Sequence, residues 1–324
     1  MPDYIGIDLG GTKCAVVLGR ITGNHRPVIR DKVVFPTEVA RGVEYILNGV
    51  DEQIAYLLAQ NAQSIDEIGG IGISCGGPLD SKRGVILSPP NLIGWDNVPI
   101  VARLEEKWGV RTRLQNDANA GALAEWRFGA GQGCRNLVFL TFGTGLGAGL
   151  ILDGRLYCGT NDCAGEIGHI RLSPFGPVGY GKSGSCEGFC SGGGLAQLGR
   201  MKGLEKLQRG ETVSFCTDGE RLESLSAKDI AAAAQKGDPL AMEIFHICGA
   251  YLGRTLAIII DLLNPERIII GSIFTRNREL LVPAMQETLT QESLNAAYRV
   301  CQVVPALLGE EIGDYAALAT ALTD

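Results

Sequence analysis

The chain lacks the marks of several protein classes. Ten cysteines are present but no C-x-x-C pair, and no basic leader precedes the first apolar run at Tyr4. The thiols therefore read as small buried hydrophobes of a reducing cytoplasm. Long apolar runs are missing as well. The most apolar stretch, Thr255 to Leu263, is far short of a bilayer span and contains Asp261, so no membrane association is expected. Positive charge is in deficit, with 29 Lys and Arg against 36 Asp and Glu for a net −7, which disfavours a nucleic-acid partner. Glycine is abundant instead, at 45 of 324 residues, about twice the usual ~7%. The glycines follow no fixed period, which excludes collagen and points to tight turns and close backbone–ligand approaches. The length exceeds one ordinary domain and gives a prior of two, each of roughly 150 residues.

The hydrophobic pattern repeats. Tyr4 to Asp8, Cys14 to Leu18 and Val28 to Phe35 read as three adjacent strands. A helix follows over Val39 to Gln60, where Val43, Ile46, Leu47, Val50, Ile54, Leu57 and Leu58 fall near helical spacing. Ile68 to Ser74 is a strand, Val98 to Trp108 a helix, Val110 to Gln115 a strand and Ala118 to Phe128 a helix. The pattern then restarts with strands at Leu137 to Phe142, Ala148 to Leu152 and Arg155 to Tyr157. Helices at Ala227 to Gln235 and Leu240 to Leu263 precede a strand at Arg267 to Ile270. A helix at Glu279 to Leu289, a strand at Arg299 to Val304 and a closing helix at Tyr315 to Leu322 complete it. Three strands followed by alternating helices and strands thus occur twice, which predicts two α/β halves of similar topology with a cleft between them.

Two glycine turns open the two halves. In Asp8-Leu9-Gly10-Gly11-Thr12-Lys13 a strand delivers an acid to a turn whose amides can face an anion, with Thr12 adding a hydroxyl and Lys13 a charge. Asp8 would repel phosphate directly, so its sensible task is holding Mg²⁺, directly or through water; the plain alternative is a hairpin turn with a solvated acid. Thr141 to Gly149 carries Gly143, Thr144 and Gly145 in a second turn after a strand. It misses the G-x-G-x-x-G dinucleotide spacing and is followed by a strand, leaving a phosphate cradle or a glycine-rich hairpin. Gly176 to Ser183 fits the Walker A string, but Ser173-Pro174 before it and Gly184, Gly188 and Gly192 after it deny it the strand and helix it needs. Gln115 to Ala120 sits where a strand meets a helix. Asp117 is there either a carboxylate at the ligand-binding edge of the sheet or an ordinary N-cap.

Five segments in this order and spacing resemble the ROK family of bacterial sugar kinases and repressors. They are DLGGTK at Asp8 to Lys13, CGGP at Cys75 to Pro78, NDANAGALAE at Asn116 to Glu125, FGTGLGAGLI at Phe142 to Ile151, and GEIGH at Gly165 to His169. The resemblance covers essentially the whole chain. It implies a two-domain actin/hexokinase-like ATPase fold, with a smaller N-terminal α/β domain over 1–117 plus the closing helix at 306–324, and a larger one over 118–305. It implies an ATP-dependent kinase of a monosaccharide, with Asp117 as the general base. Gly77, Asn91, Asn116, Glu166, His169 and Glu187 would bind the sugar. Asp8, Gly10, Gly11, Thr12 and Lys13, with Gly143, Thr144 and Gly145, would hold ATP and Mg²⁺. These roles are chemically coherent: phosphoryl transfer needs an aligned hydroxyl, a carboxylate beside it, and amides and cations about the phosphates. Closing two halves over the sugar would exclude water. Homodimers or homotetramers in the cytoplasm are also implied.

Two departures stand out. Most of the family holds a structural zinc with the His of GEIGH and three cysteines. Here the cysteine positions carry Val178, Tyr180 and Ser185, none able to replace a thiolate, so no zinc is expected there. Cys163, Cys186 and Cys190 lie nearby in sequence and offer only an improvised set. Ile270-Gly271-Ser272 replaces a usual run of glycines near the adenosine, which leaves the nucleotide preference open. His25 and His246 carry no motif and receive no role. Glucose, at its 6-hydroxyl, is the first expected substrate. N-acetylmannosamine, N-acetylglucosamine, mannose and fructose are alternatives, as is a sugar-sensing transcriptional regulator. The start of the first glycine turn within ten residues of Met1 leaves such a regulator no room for a helix-turn-helix.

Overall fold

A computed structural model describes residues 2–21, 27–216 and 222–323; His25 lies outside them. The chain opens with β1 (Asp3–Leu9), β2 (Lys13–Arg20) and β3 (Val28–Pro36). Then come α1 (Val43–Gln60), β4 (Ile68–Cys75), a small hairpin of β5 (Leu79–Asp80) and β6 (Val85–Ile86), α2 (Ile100–Trp108), β7 (Thr112–Asn116) and α3 (Asp117–Phe128). The strands β8 (Leu137–Phe142), β9 (Leu146–Leu152) and β10 (Arg155–Leu156) restart the pattern. A second hairpin of β11 (Val178–Gly179) and β12 (Lys182–Ser183) leads to α4 (Cys186–Phe189), α5 (Gly192–Gln208), α6 (Ala227–Gln235) and α7 (Pro239–Leu263). The remainder is β13 (Arg267–Ile270), α8 (Ile273–Arg276), α9 (Arg278–Glu292), α10 (Asn295–Tyr298), β14 (Gln302–Pro305) and α11 (Ile312–Thr320).

The duplication is explicit in the sheets. The first has the order β3-β2-β1-β4-β7 and the second β10-β9-β8-β13-β14. Each thus places its third, second, first, fourth and fifth strands side by side. The first three of the first sheet and the β10–β9 pair of the second are antiparallel, and the pairs of the fourth strand with the first and fifth are parallel, where the crossovers are helical. This is the two-domain α/β architecture of the actin/hexokinase-like ATPases. The contacts divide the chain into two compact units, one of residues 1–135, 149–164 and 307–324, the other of 136–148 and 165–306.

In the first unit α1 turns Ile46, Leu47, Val50, Ile54, Leu57 and Leu58 inward, an apolar stripe at helical spacing. They join Ile5, Ile7, Ile71 and Ile73 in one core. Burial of this kind contributes about 25 cal/mol per Å² of apolar surface. The closing helix α11 covers the opposite face of the sheet. It approaches so closely at Gly72 that any Cβ there would overlap the Ala317 carbonyl. In the second unit α7 is the core helix, started by Asp238, whose carboxylate accepts the Ala241 N–H at 2.8 Å. By length and composition α7 could cross a bilayer. Here its Gly249 and Gly253 let α9 in so near that a Cβ would meet the Leu281 and Met285 carbonyls at 2.6 Å.

Several boundaries differ from the sequence expectation for local reasons. Helix α2 starts at Ile100, because Val98 exchanges two 3.0 Å backbone hydrogen bonds with Ile86. The late strand shrinks to Gln302–Pro305, since the helical turn α10 occupies the preceding residues. Helix α5 was not expected: it opens on three glycines, each unfavourable in a helix by about 1 kcal/mol relative to Ala. Its cue is Ser191, whose Oγ accepts the Gly194 N–H at 2.9 Å. The Walker-like string lies on the β11–β12 hairpin, with no helix opening at Lys182.

Candidate active site

In the first unit the strand registers bring acids to one sheet edge. Asp8 pairs with Ser74 across β1–β4, and Ser74 pairs with Gln115 across β4–β7. Asp117, two residues beyond Gln115, is the first residue of α3 and is exposed. Adjacent strands are separated by about 4.8 Å, so two carboxylates share this edge two strands apart. The N-cap is not Asp117. Asn116 takes that task, its Oδ1 accepting the Asn119 N–H at 2.7 Å. Asp117 Oδ1 accepts the N–H of its neighbour Ala118 at 2.8 Å.

The turn after Asp8 is held by hydrogen bonds to three of its carbonyls. The Gly10 N–H donates to the Lys13 carbonyl at 3.2 Å. Thr37, fully buried, donates its hydroxyl to the Gly10 carbonyl at 2.6 Å and its N–H to the Thr12 carbonyl at 3.0 Å. The turn's carbonyls are thereby consumed inside, which suits the remaining amides to an anion. Asn91 packs on this turn, and a Cβ on Gly11 would come within 2.6 Å of the Asn91 Cβ and carbonyl. Asn91 is also next to the CGGP turn, its Nδ2 being 3.5 Å from where a Gly76 Cβ would be; Gly77 beside it is exposed. Asp8, Gly10, Gly11, Thr12, Lys13, Gly77, Asn91, Asn116 and Asp117 are thus gathered within one unit.

Electrostatics single out Asp8. Its carboxyl is pushed up to about 6, first by burial and then by the negative charges of Asp314 and Asp117, against Lys32 and Lys13. Asp314 and Asp117 thus act on Asp8 through their charge, and Asp314 is itself paired with Lys32 at 2.6 Å. Asp314, Lys32 and Thr37 carry no sequence signal. They reach the site from distant parts of the chain, Lys32 and Asp314 being 282 residues apart.

The second unit gathers the other set. Gly143 donates its N–H to the Gly145 carbonyl at 3.1 Å. The carbonyl of Gly143 accepts the Gly192 N–H at 2.8 Å at the start of α5. Glu187 lies against the same turn, its Oε2 accepting the Leu146 N–H at 3.0 Å. The GEIGH segment crosses β9 tightly, since a Cβ on Gly165 would overlap the Ala148 carbonyl and one on Gly168 the Leu146 carbonyl. Glu166 is exposed ahead of the Ile167–His169 turn, and the His169 ring meets Tyr180 edge-on with centroids 5.2 Å apart. Gly143, Thr144, Gly145, Glu166, His169 and Glu187 therefore form one neighbourhood.

Around His169 hydrogen bonds tie the loops. Lys182 Nζ donates to the His169 carbonyl at 2.6 Å, and the Gln197 amide both donates to and accepts from the Val178 backbone. Ser185 caps α4, accepting the Gly188 N–H at 3.1 Å. Cys186 and Cys190 are buried on α4 and beside it, Cys190 Sγ facing the Cys248 carbonyl, while Cys163 is exposed. Among the described residues no group of three or more His, Cys, Asp or Glu is arranged to hold a metal. Ser272 has a left-handed φ of 53°, and its Oγ accepts from the Arg276 guanidinium at 3.0 Å.

Known proteins resemble this chain over nearly its whole length. A glucokinase of Thermotoga maritima is 32% identical over 310 residues, 95% of this chain and 94% of its own. The DNA-binding transcriptional dual regulator NagC of Escherichia coli is 30% identical over 293 residues, 90% of this chain and 68% of its own. Among solved structures, a ROK family glucokinase from Streptomyces griseus in complex with glucose and AMPPNP superposes with a TM-score of 0.76. It is 30% identical, with 98% of this chain and 99% of that one covered. The ROK family profile matches residues 4–323. With two glycine turns, an Asn-Asp helix start and a GEIGH segment on a duplicated α/β fold, this chain belongs to the ROK family.

Proposed function

We propose that this chain is an ATP-dependent sugar kinase that phosphorylates a hexose, glucose at its 6-hydroxyl before others, with Asp117 as the general base. The reading is carried by one observation: Asp8 and Asp117 stand at the same sheet edge beside a turn whose carbonyls are tied inward. Relatives named glucokinase, 30–32% identical over nearly their full length, support it. In the first unit Asp117 takes the proton of the sugar hydroxyl as the oxygen attacks phosphorus, while Asn91, Asn116 and the Gly77 backbone orient the ring. In the second, Glu166, His169 and Glu187 offer the acceptors and donors a pyranose requires.

The Gly10–Lys13 and Gly143–Gly145 turns receive the phosphates of ATP. Amides and the Lys13 ammonium stabilise charge there without having to reorganise. Asp8 is the residue to hold Mg²⁺, which when bound offsets the charge of the phosphate oxygens.

The test is a coupled ADP-release assay over hexoses and N-acetylhexosamines. Sugar-dependent ADP release, largest with glucose, supports the proposal, and a maximum with N-acetylmannosamine or N-acetylglucosamine reassigns the substrate. Sugar binding with no ADP release, joined to an operator gel shift, favours the regulator reading that the likeness to NagC keeps in play.

A further inference from the structure

Alternation along a strand sends every second side chain to the same face. Gly6 and Asp8 share one face of β1, and the pairing carries that face to Val17 and Ala15 on β2 and to Lys32 and Val34 on β3. Helix α11 covers it, since Cβ atoms on Gly6 and Gly19 would press on Ala317 and Leu318. The first turn of α11 brings Gly313 against Asp8: the space a Gly313 side chain would fill is taken by the Asp8 carboxylate. Asp314, the next residue, is nearly sealed from solvent, yet its Oδ2 lies 2.6 Å from the Lys32 Nζ. Lys32, 37% exposed, reaches in from the outer strand of the sheet.

Lys32 thus has two carboxylates within electrostatic reach, since both it and Asp314 act on Asp8. Burying the Asp314 carboxylate is costly unless a cation answers it. That cost makes Asp314 the stronger competitor for the ammonium.

We propose that Asp314 is a positioning residue for the nucleotide's metal: by binding the Lys32 ammonium in a buried ion pair, it keeps that cation off Asp8 and leaves the Asp8 carboxylate open to Mg²⁺. This rests on the reading of Asp8 as the Mg²⁺ residue. Without Asp314, Asp8 is a carboxylate on this face that Lys32 still acts on, and a fixed ammonium there opposes a divalent cation.

The test is calorimetric titration of Mg²⁺ with a non-hydrolysable ATP analogue into the intact protein, with melting temperatures taken in parallel. Asp314→Asn is expected to weaken binding roughly tenfold. The double variant Lys32→Gln/Asp314→Asn is expected to recover to within about threefold of the parent, because the displaced cation is gone. Equal loss in both variants, or undiminished binding in Asp314→Asn, overturns the proposal. Asp8→Asn separates the two layers. If it abolishes binding while Asp314→Asn does not weaken it, only this proposal falls; if Asp8→Asn binds as the parent does, the reading of Asp8 falls and takes the proposal with it.

Discussion

Glu187 accepts the Leu146 N–H at 3.0 Å, which joins the start of α4 to the strand that leaves the second glycine turn. A Cβ on Gly145 would fall 2.7 Å from the same carboxylate oxygen, and one on Gly168 would come 3.3 Å from the Glu187 Cβ. One side chain therefore braces both the turn assigned to phosphate and the GEIGH segment assigned to sugar.

A double effect is expected from its removal. Glu187→Ala leaves the Leu146 amide without its acceptor and takes away a sugar ligand, so KM should rise for both ATP and glucose, roughly tenfold or more for the sugar. Glu187→Gln, which keeps an acceptor oxygen, should spare the ATP term. Steady-state kinetics with each substrate varied in turn would show this; a change confined to the sugar would mean that the brace is idle.

The Asp8 carboxyl, with its pKa near 6 set by burial and by Asp314 and Asp117, predicts a pH signature in protein stripped of divalent ions. The folded pKa exceeds the unfolded value near 3.9. Its contribution to stability is thus full below about pH 4 and is lost as pH rises through 6. At pH 7.5 the ionised group weighs against folding by about 1–3 kcal/mol. Asp8→Asn should accordingly melt higher than the parent at pH 7.5, with the gap closing toward pH 4.5. Thermal melts in chelator across this range check it, and a gap that widens on acidification would contradict the sign.

Around His169 the hydrogen bonds of Lys182 and Gln197 secure the loops, and no zinc is expected to brace them. A zinc-selective chelator, with Mg²⁺ kept in the buffer, should leave the melting temperature of this chain unchanged. Lys182→Met should raise KM for the sugar several-fold, as the His169 carbonyl loses a charge-assisted partner. Elemental analysis finding one tightly held zinc per chain would overturn the expectation.

The duplicated fold could be read from the residues because its strands obey a simple period. Ile5, Ile7 and Leu9 point into the core, and each half repeats the order of three strands before helices alternate. The glycine turns and the Asn116-Asp117 pair were equally visible, since their chemistry is local. What escaped was tertiary. Thr37 orients the first turn from the far end of β3, and Asp314 meets Lys32 across almost the whole length of the chain. Helix α5 escaped because its opening glycines oppose helix formation, and its start is set by Ser191 and by the Gly143 carbonyl that receives the Gly192 N–H.

The account turns on whether the Asp117 carboxylate carries the proton transfer. The direct measurement pairs glucose binding by calorimetry with glucose-dependent ADP release for the parent and Asp117→Asn. Proton transfer by a placed base contributes roughly 10²–10⁴-fold. The account predicts turnover reduced by about that factor, with glucose affinity largely kept. Turnover within a few-fold of the parent would contradict it.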